Sequence, residues 1–291
     1  MAELRIGLLG ATGLVGGCLL TQLKEEGRQV AAFSRRAQAP SWNGLTWHRP
    51  PSSPDAPPEE AKELPLWICF APIWVLPDYF SLLESHGARR VVALSSTSRD
   101  TKADSADRRE QALVQRLKEG EDRLRAWAVE KGIEWIVLRP TLIYGLGKDK
   151  NISEIARFIR RFGFFPVFGK AMGLRQPVHA EDVAAACVAA LESPWAANRA
   201  YDLSGGETLP YREMVARVFA ALRRRPRLLP IPLWIFSVGL AILRCLPRYR
   251  HWSSAMAVRM NQDLVFNHEE AARDLNFSPR PFQLRHADLA G

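Results

Sequence analysis

A chain of 291 residues, 47% hydrophobic and 24% charged, is long enough for one large α/β domain with an appended lobe and too apolar to be disordered. Its net charge of +9 points to anionic partners, either a phosphorylated small molecule or anionic lipid, and no nucleic-acid module is recognisable in it. Cys18, Cys69, Cys187 and Cys245 lie far apart, with no CxxC and no His at ligand spacing, which argues against a disulfide framework or a zinc site and suits a reducing, cytoplasmic setting.

Strand and helix signals alternate over the first ~190 residues, the pattern of a parallel sheet with helices on both faces. Residues 5–9 read as the first strand and 14–26 as a helix closed by Gly27. Five glycines break the opening apolar stretch, so it does not read as a secretion signal. Further strands are expected at 29–33, 45–48, 66–70, 91–94 and 135–138, and long helices at 106–130 and 182–191. Residues 50–65, rich in Pro, Ser, Asp and Glu, read as a loop. Residues 211–222 have the spacing of an amphipathic helix. The expected architecture is a doubly wound Rossmann-type domain over 1–200 and a small substrate lobe over 201–291, with 150–180 contributing to the lobe.

Gly10-Ala11-Thr12-Gly13-Leu14-Val15-Gly16 follows a strand and opens a helix. In that context one glycine permits a sharp turn, another lets backbone approach a pyrophosphate, and the third packs helix on sheet. The helix N-terminus then offers free N–H groups and a partial positive charge to the anion. At the end of the second strand stands Ser34-Arg35-Arg36, where an NAD-specific domain usually has an acid for the ribose 2′-OH. Guanidiniums there suit a 2′-phosphate, so NADP is expected ahead of NAD. A solvated Arg pair is the plainer alternative.

These landmarks, with Phe70-Ala71-Pro72, Leu94-Ser95-Ser96-Thr97-Ser98, Leu138-Arg139-Pro140-Thr141-Leu142-Ile143-Tyr144-Gly145, the stretch from Arg175 through Gln176, Pro177, Val178 and His179 to Val183, and Tyr201-Asp202-Leu203-Ser204-Gly205-Gly206, resemble the extended and atypical short-chain dehydrogenase/reductases. The group contains nucleotide-sugar epimerases and dehydratases. The resemblance implies a cofactor site built from Gly10, Thr12, Gly13, Leu14, Val15, Gly16, Ser34, Arg35, Arg36, Ala71, Pro72, Ser95, Pro140 and Thr141. It implies Thr97 and Ser96 as hydroxyls beside the reacting groups, and Arg175, Asn151 and Tyr144 as substrate-binding. For Tyr144 packing is the plainer reading, and for Arg175 and His179 an interdomain polar contact.

The family's Tyr-x-x-x-Lys pair is missing. With Glu121 aligned to the family's downstream Glu, Leu113 and Leu117 occupy the Tyr and Lys positions, and Lys118 stands one residue off as the nearest substitute. Lys102 and Asp104 read as a solvated loop. Three functions remain open: an NADP(H)-dependent oxidoreductase or epimerase acting on a nucleotide- or lipid-linked sugar, a non-catalytic NADP-binding sensor or subunit, and a membrane-surface assembly factor, which rests on the apolar run at 233–243 alone. A homodimer is compatible with each. The uncharged run at 233–243, bounded by Pro232 and Arg244, is about half the length a spanning helix needs. It reads as a buried lobe helix or as peripheral membrane contact.

Overall fold

The computed structural model describes residues 5–35, 41–50, 63–103, 105, 107–232 and 258–289. Arg36, Asp104, Cys245 and the run at 233–243 lie outside the described residues.

Short apolar strands form the sheet: β1 (Ile6–Leu9), β2 (Val30–Phe33), β3 (Leu45–His48), β4 (Leu66–Cys69), β5 (Arg90–Leu94) and β6 (Glu134–Pro140). β1 and β2 are buried at every residue, as strands covered on both faces must be. Helices α1 (Leu14–Glu25), α2 (Phe80–Ser85), α3 (Ser98–Thr101) and α4 (Arg108–Lys131) alternate with them. Asp107 caps α4 by accepting from the Arg109 amide at 2.9 Å, and Gly132 ends it in the left-handed conformation.

The chain then enters the lobe through β7 (Ile143–Tyr144), α5 (Ile152–Phe162), β8 (Phe165–Phe168), β9 (Leu174–Arg175) and β10 (Val178–His179). It returns to the sheet with α6 (Ala180–Glu192) and β11 (Arg199–Leu203). β12 (Leu209–Pro210), α7 (Tyr211–Ala221), β13 (Leu228–Ile231) and α8 (Glu269–Leu275) follow. The seven-stranded sheet has the order β11-β6-β5-β4-β1-β2-β3, with every pairing parallel. This is the expected doubly wound Rossmann-type sheet.

One face of the sheet is covered by α1, α6 and α8, whose Leu19, Val183 and Ala271 share a core with Leu8 and Ile136. The other is covered by α2 and α4, with Leu83, Leu124 and Trp127 packed on Trp67 and Val91. A third core, around Ile155, Phe168, Val215 and Phe282, belongs to the lobe. The last sheet strand runs to Leu203, and 271–277 pack on the sheet's helices, so the lobe is discontinuous in sequence. Cys18, Cys69 and Cys187 are free, buried thiols. Burial pushes the Cys18 thiol up to about 11.

A buried pair pins the lobe to α6. The His179 Nδ1 accepts from the Glu181 amide at 3.2 Å, which leaves Nε2–H to donate to Asp288 Oδ1 at 3.1 Å. Asp288 also accepts from the amides of Leu146 and Arg285. Burial pushes this carboxyl up, but the hydrogen bonds outweigh it and hold it below the usual carboxylate range. A depressed folded value contributes stability above the unfolded carboxyl pKa of about 3.9, and the contribution is lost as pH falls through the folded value. Asp288→Asn is therefore expected to lower stability by about 1–3 kcal/mol at neutral pH. In thermal melts across pH, the gap from wild type should close on the acid side. A gap independent of pH would contradict the assignment.

Candidate functional site

The strand order reverses between β1 and β4, and a cleft of about 1160 Å³ opens at the C-terminal ends of the strands there. Its walls include Thr12, Gly13, Leu14, Val15 and Gly16 on one side. Pro72, Ser96, Thr97 and Thr141 line the middle, and Asn151 and Arg175 belong to the lobe side. The topology thus gathers loops that are far apart in sequence.

At the glycine loop, Gly10 has φ +78°, and its N–H reaches the Phe33 carbonyl at the end of β2. The first turn of α1 has neither a side-chain cap nor an acidic residue. Its leading N–H groups therefore lack intrahelical acceptors and face an open wall of the cleft. A Cβ built on Gly13 would meet nothing closer than the Gly10 carbonyl at 3.9 Å, so the backbone there is open to close approach by a ligand. These features fit a pyrophosphate. Ser34 is buried beside this loop, and its amide donates to the His48 carbonyl. Arg35 is exposed. Ala71 lies directly against Gly10.

The floor behind the cleft is held by a buried carboxylate. Glu121, 1% exposed at its side chain, accepts from Ser95 Oγ at 2.5 Å, from Arg139 at 2.6 and 3.2 Å, and from Arg99. Burial disfavours the Arg139 charge, and Glu121 more than restores it, raising the guanidinium above its ordinary value. Ser95 is thus engaged behind the wall. Ser96 and Thr97 line the cleft, and Thr97 Oγ1 donates to the Pro140 carbonyl at 3.3 Å. Thr141 donates its amide to Leu203 and its hydroxyl to the Gln176 carbonyl.

Leu113 and Leu117, which the resemblance sets at the Tyr and Lys positions, both lie in the apolar core of the sheet. Leu117 is buried and Leu113 packs in the same core. Lys118 is half-buried on α4 but is not among the residues lining the cleft. Lys102 does line it, which the sequence reading of a solvated loop did not anticipate. Its Nζ is 3.6 Å from Glu110 Oε1. Ser105 and Arg259 also donate to Glu110. Burial pushes the Glu110 carboxyl up, but Ser105, Arg259 and Lys102 outweigh it and hold it below its ordinary value.

The three substrate candidates separate. Asn151 stays on the cleft wall. Tyr144 is fully buried, its ring edge-on to His179 and Phe282 at 5.0 and 4.9 Å, so it packs the lobe instead of lining the cleft. Arg175 reaches the cleft, but its guanidinium donates to the carbonyls of Leu174, Gln262 and Arg259. Burial pulls it down to about 10, still protonated at neutral pH. It fastens the segment 258–264 across the lobe, and Asn261 assists by donating to the Phe168 carbonyl at 2.8 Å. Among the described residues, Lys102, Lys148, Lys150, Arg175 and Arg259 line the cleft against one lining carboxylate, Asp149, while Glu110 pairs with Lys102 and Arg259. The Asp149 carboxylate is occupied by Asn151 and Ser153 at the start of α5. The cleft favours an anionic ligand.

A doubly wound parallel sheet with a glycine loop at its switch point defines a Rossmann-type α/β protein. Within it, residues 80–204 match the sequence profile of the NAD dependent epimerase/dehydratase family, which bears out the resemblance to the extended short-chain dehydrogenase/reductases. The chain is 28% identical over 120 residues to UDP-glucose 4-epimerase of Vibrio cholerae. It is 30% identical over 100 residues to the mitochondrial NADH dehydrogenase [ubiquinone] 1 alpha subcomplex subunit 9 of Arabidopsis thaliana. These alignments span 41% and 34% of this chain, but only 37% and 25% of the two relatives. Among solved structures, MoeE5 in complex with UDP-glucuronic acid and NAD superposes with a TM-score of 0.70 at 20% identity, over 96% of this chain and 94% of that one. That likeness is one of fold.

Proposed function

We propose that the chain is a nicotinamide-dinucleotide-binding enzyme of the epimerase/dehydratase kind, with NADP(H) ahead of NAD(H), acting on a nucleotide-linked or lipid-linked sugar. The observation that carries this is the uncapped N-terminus of α1 opening into the cleft behind Gly13. Gly10, Thr12, Leu14, Val15, Gly16, Ala71 and Pro72 would surround the dinucleotide. Ser34, Arg35 and Arg36 would meet the adenosine ribose, and Pro140 and Thr141 the other end. When bound, the nicotinamide supplies hydride transfer. Thr97, Ser96 and Lys102 are the cleft-lining groups able to hold or move a proton at the reacting oxygen. Lys148, Lys150 and Asn151 would position a substrate phosphate, with Arg175 behind them.

The relatives support a sugar-nucleotide substrate by their names, and the cationic cleft supports a phosphorylated one. Peripheral membrane contact through 233–243, a cytoplasmic location and a homodimer belong to the same reading. A second reading, a dinucleotide-binding subunit without turnover, is favoured by the apolar side chains of Leu113 and Leu117 where the family's acid and base stand.

Titration of purified protein with NADPH and NADH, followed by nicotinamide fluorescence, tests the proposal. NADPH should bind about tenfold or more tightly, since a charge-assisted contact contributes about 1.5–3 kcal/mol. Replacing both arginines, R35D/R36D, should erase the preference. Tighter binding of NADH would refute NADP selectivity, and binding of neither would refute the whole reading. Incubation with UDP-glucose and bound cofactor separates enzyme from subunit: a shift in nicotinamide absorbance or an epimerised product supports turnover.

A further inference from the structure

The lobe carries a second cationic surface that the cleft does not use. α5 buries Ile152, Ile155, Ala156 and Ile159 in the lobe core and turns Arg157, Arg160 and Arg161 outward. The segment after α7 lies beside it. The Arg227 carbonyl accepts from the Phe165 amide at 2.9 Å, and Arg224 donates to the Ile159 carbonyl at 2.8 Å. Beyond that junction β13 pairs in parallel with β8. Arg223, Arg225 and Arg227 are thereby exposed next to the C-terminal end of α5. Among the described residues, none of Arg161, Arg223, Arg225 and Arg227 has a carboxylate partner. The neighbouring acid, Glu154, is taken by Arg157.

Apolar side chains sit among these cations. Phe162 is 43% exposed with the Arg161 guanidinium over its ring, and Leu229 is 50% exposed. Pro226, Pro230 and Pro232 are exposed beside them. The sequence is also biased here: no Asp or Glu occurs between Glu213 and Asp263, and the uncharged run at 233–243 begins one residue after Pro232. The face thus combines arginines without carboxylate partners, an exposed aromatic and an exposed leucine.

We propose that this face, formed by α5 and the segment entering β13, docks on anionic lipid headgroups. The arginines would meet lipid phosphates while Phe162 and Leu229 enter the headgroup–acyl boundary. Charge complementarity alone would also admit nucleic acid. Phe162 and the arginines could serve either ligand, but the exposed Leu229 and prolines can enter an acyl boundary and cannot donate to or stack as a ring on a base, which favours lipid. No helix among the described residues is long and apolar enough to cross a membrane. The inference stands apart from the dinucleotide reading, because the two sites use different residues.

Flotation of the full chain with vesicles of equal parts phosphatidylcholine and phosphatidylserine, against phosphatidylcholine alone, tests it. The protein should float with the anionic vesicles only, and added salt should release it. R161E/R225E/R227E should lower partitioning about tenfold or more. F162S/L229S should weaken it at unchanged net charge. Melting temperature and dinucleotide titration on the same samples verify folding. The salt titration on wild type stands if the charge-reversed variant fails to fold. Equal partitioning of folded variants and wild type, or equal binding to neutral vesicles, would overturn the proposal. So would binding of a single-stranded oligonucleotide together with no binding to anionic vesicles.

Discussion

Glu121→Gln should be among the most destabilising isosteric substitutions in this chain. The side chain keeps its shape and loses its charge, while Arg99 and Arg139 remain, 22% and 17% exposed at their side chains. Removing one partner of a buried ion pair costs about 3–5 kcal/mol. The partial exposure of both arginines places this case near the lower end, at about 3 kcal/mol, or a fall in melting temperature of roughly 6–12 °C for a domain this size. The damage should spread to the cleft. Ser95 would lose its carboxylate acceptor at the end of β5, and Arg139 precedes Pro140, whose carbonyl holds Thr97. Glu121→Leu combined with Arg139→Met should recover only part of the loss, because the Glu121 and Arg139 charges leave together while Arg99 still loses its carboxylate partner. A Glu121→Gln melt within a degree or two of wild type would show that the cluster is not structural.

That residue also shows what sequence reasoning can see. Glu121 served only as an alignment landmark, and nothing in its spacing reveals that Ser95, Arg99 and Arg139 converge on it from three elements. The sheet itself was legible because β1, β2 and β4 are unbroken apolar runs, each bounded by glycine, proline or polar residues. The lobe was less legible. α5 carries an apolar stripe at Ile152, Ile155, Ala156 and Ile159 that periodicity could have found. β13 could not be found that way: Pro230 lies within it, and it is a strand only because β8 lies alongside. Lys102 illustrates the same limit. In sequence it stands in a charged loop, and only the packing of Glu110 with Arg259, 149 residues away, draws it to the cleft wall.

The glycine loop permits the sharpest experiment, because its three glycines are constrained by different things. Gly10 has φ +78°, and an added Cβ would stand 2.8 Å from the Ala71 backbone nitrogen and 3.0 Å from the Phe70 carbonyl carbon. Gly16 has no room either: its Cβ would meet the Ala11 carbonyl oxygen at 2.4 Å. Gly13 is extended and nearly free, with its nearest atom at 3.9 Å. Gly10→Ala should therefore cost about 1–3 kcal/mol of stability through strain and displacement of the turn after β4, and should weaken dinucleotide binding as a consequence. Gly16→Val should destabilise at least as much by forcing α1 away from the Ala11 backbone in the loop after β1. Gly13→Ala should leave the melting temperature nearly unchanged and still lower dinucleotide affinity about tenfold or more, since the methyl would occupy the path by which a pyrophosphate reaches the helix N-terminus. Loss of affinity without loss of stability cannot come from a turn that merely holds the fold. If Gly13→Ala binds NADPH as wild type does, the open backbone at Gly13 is not the place where a phosphate approaches.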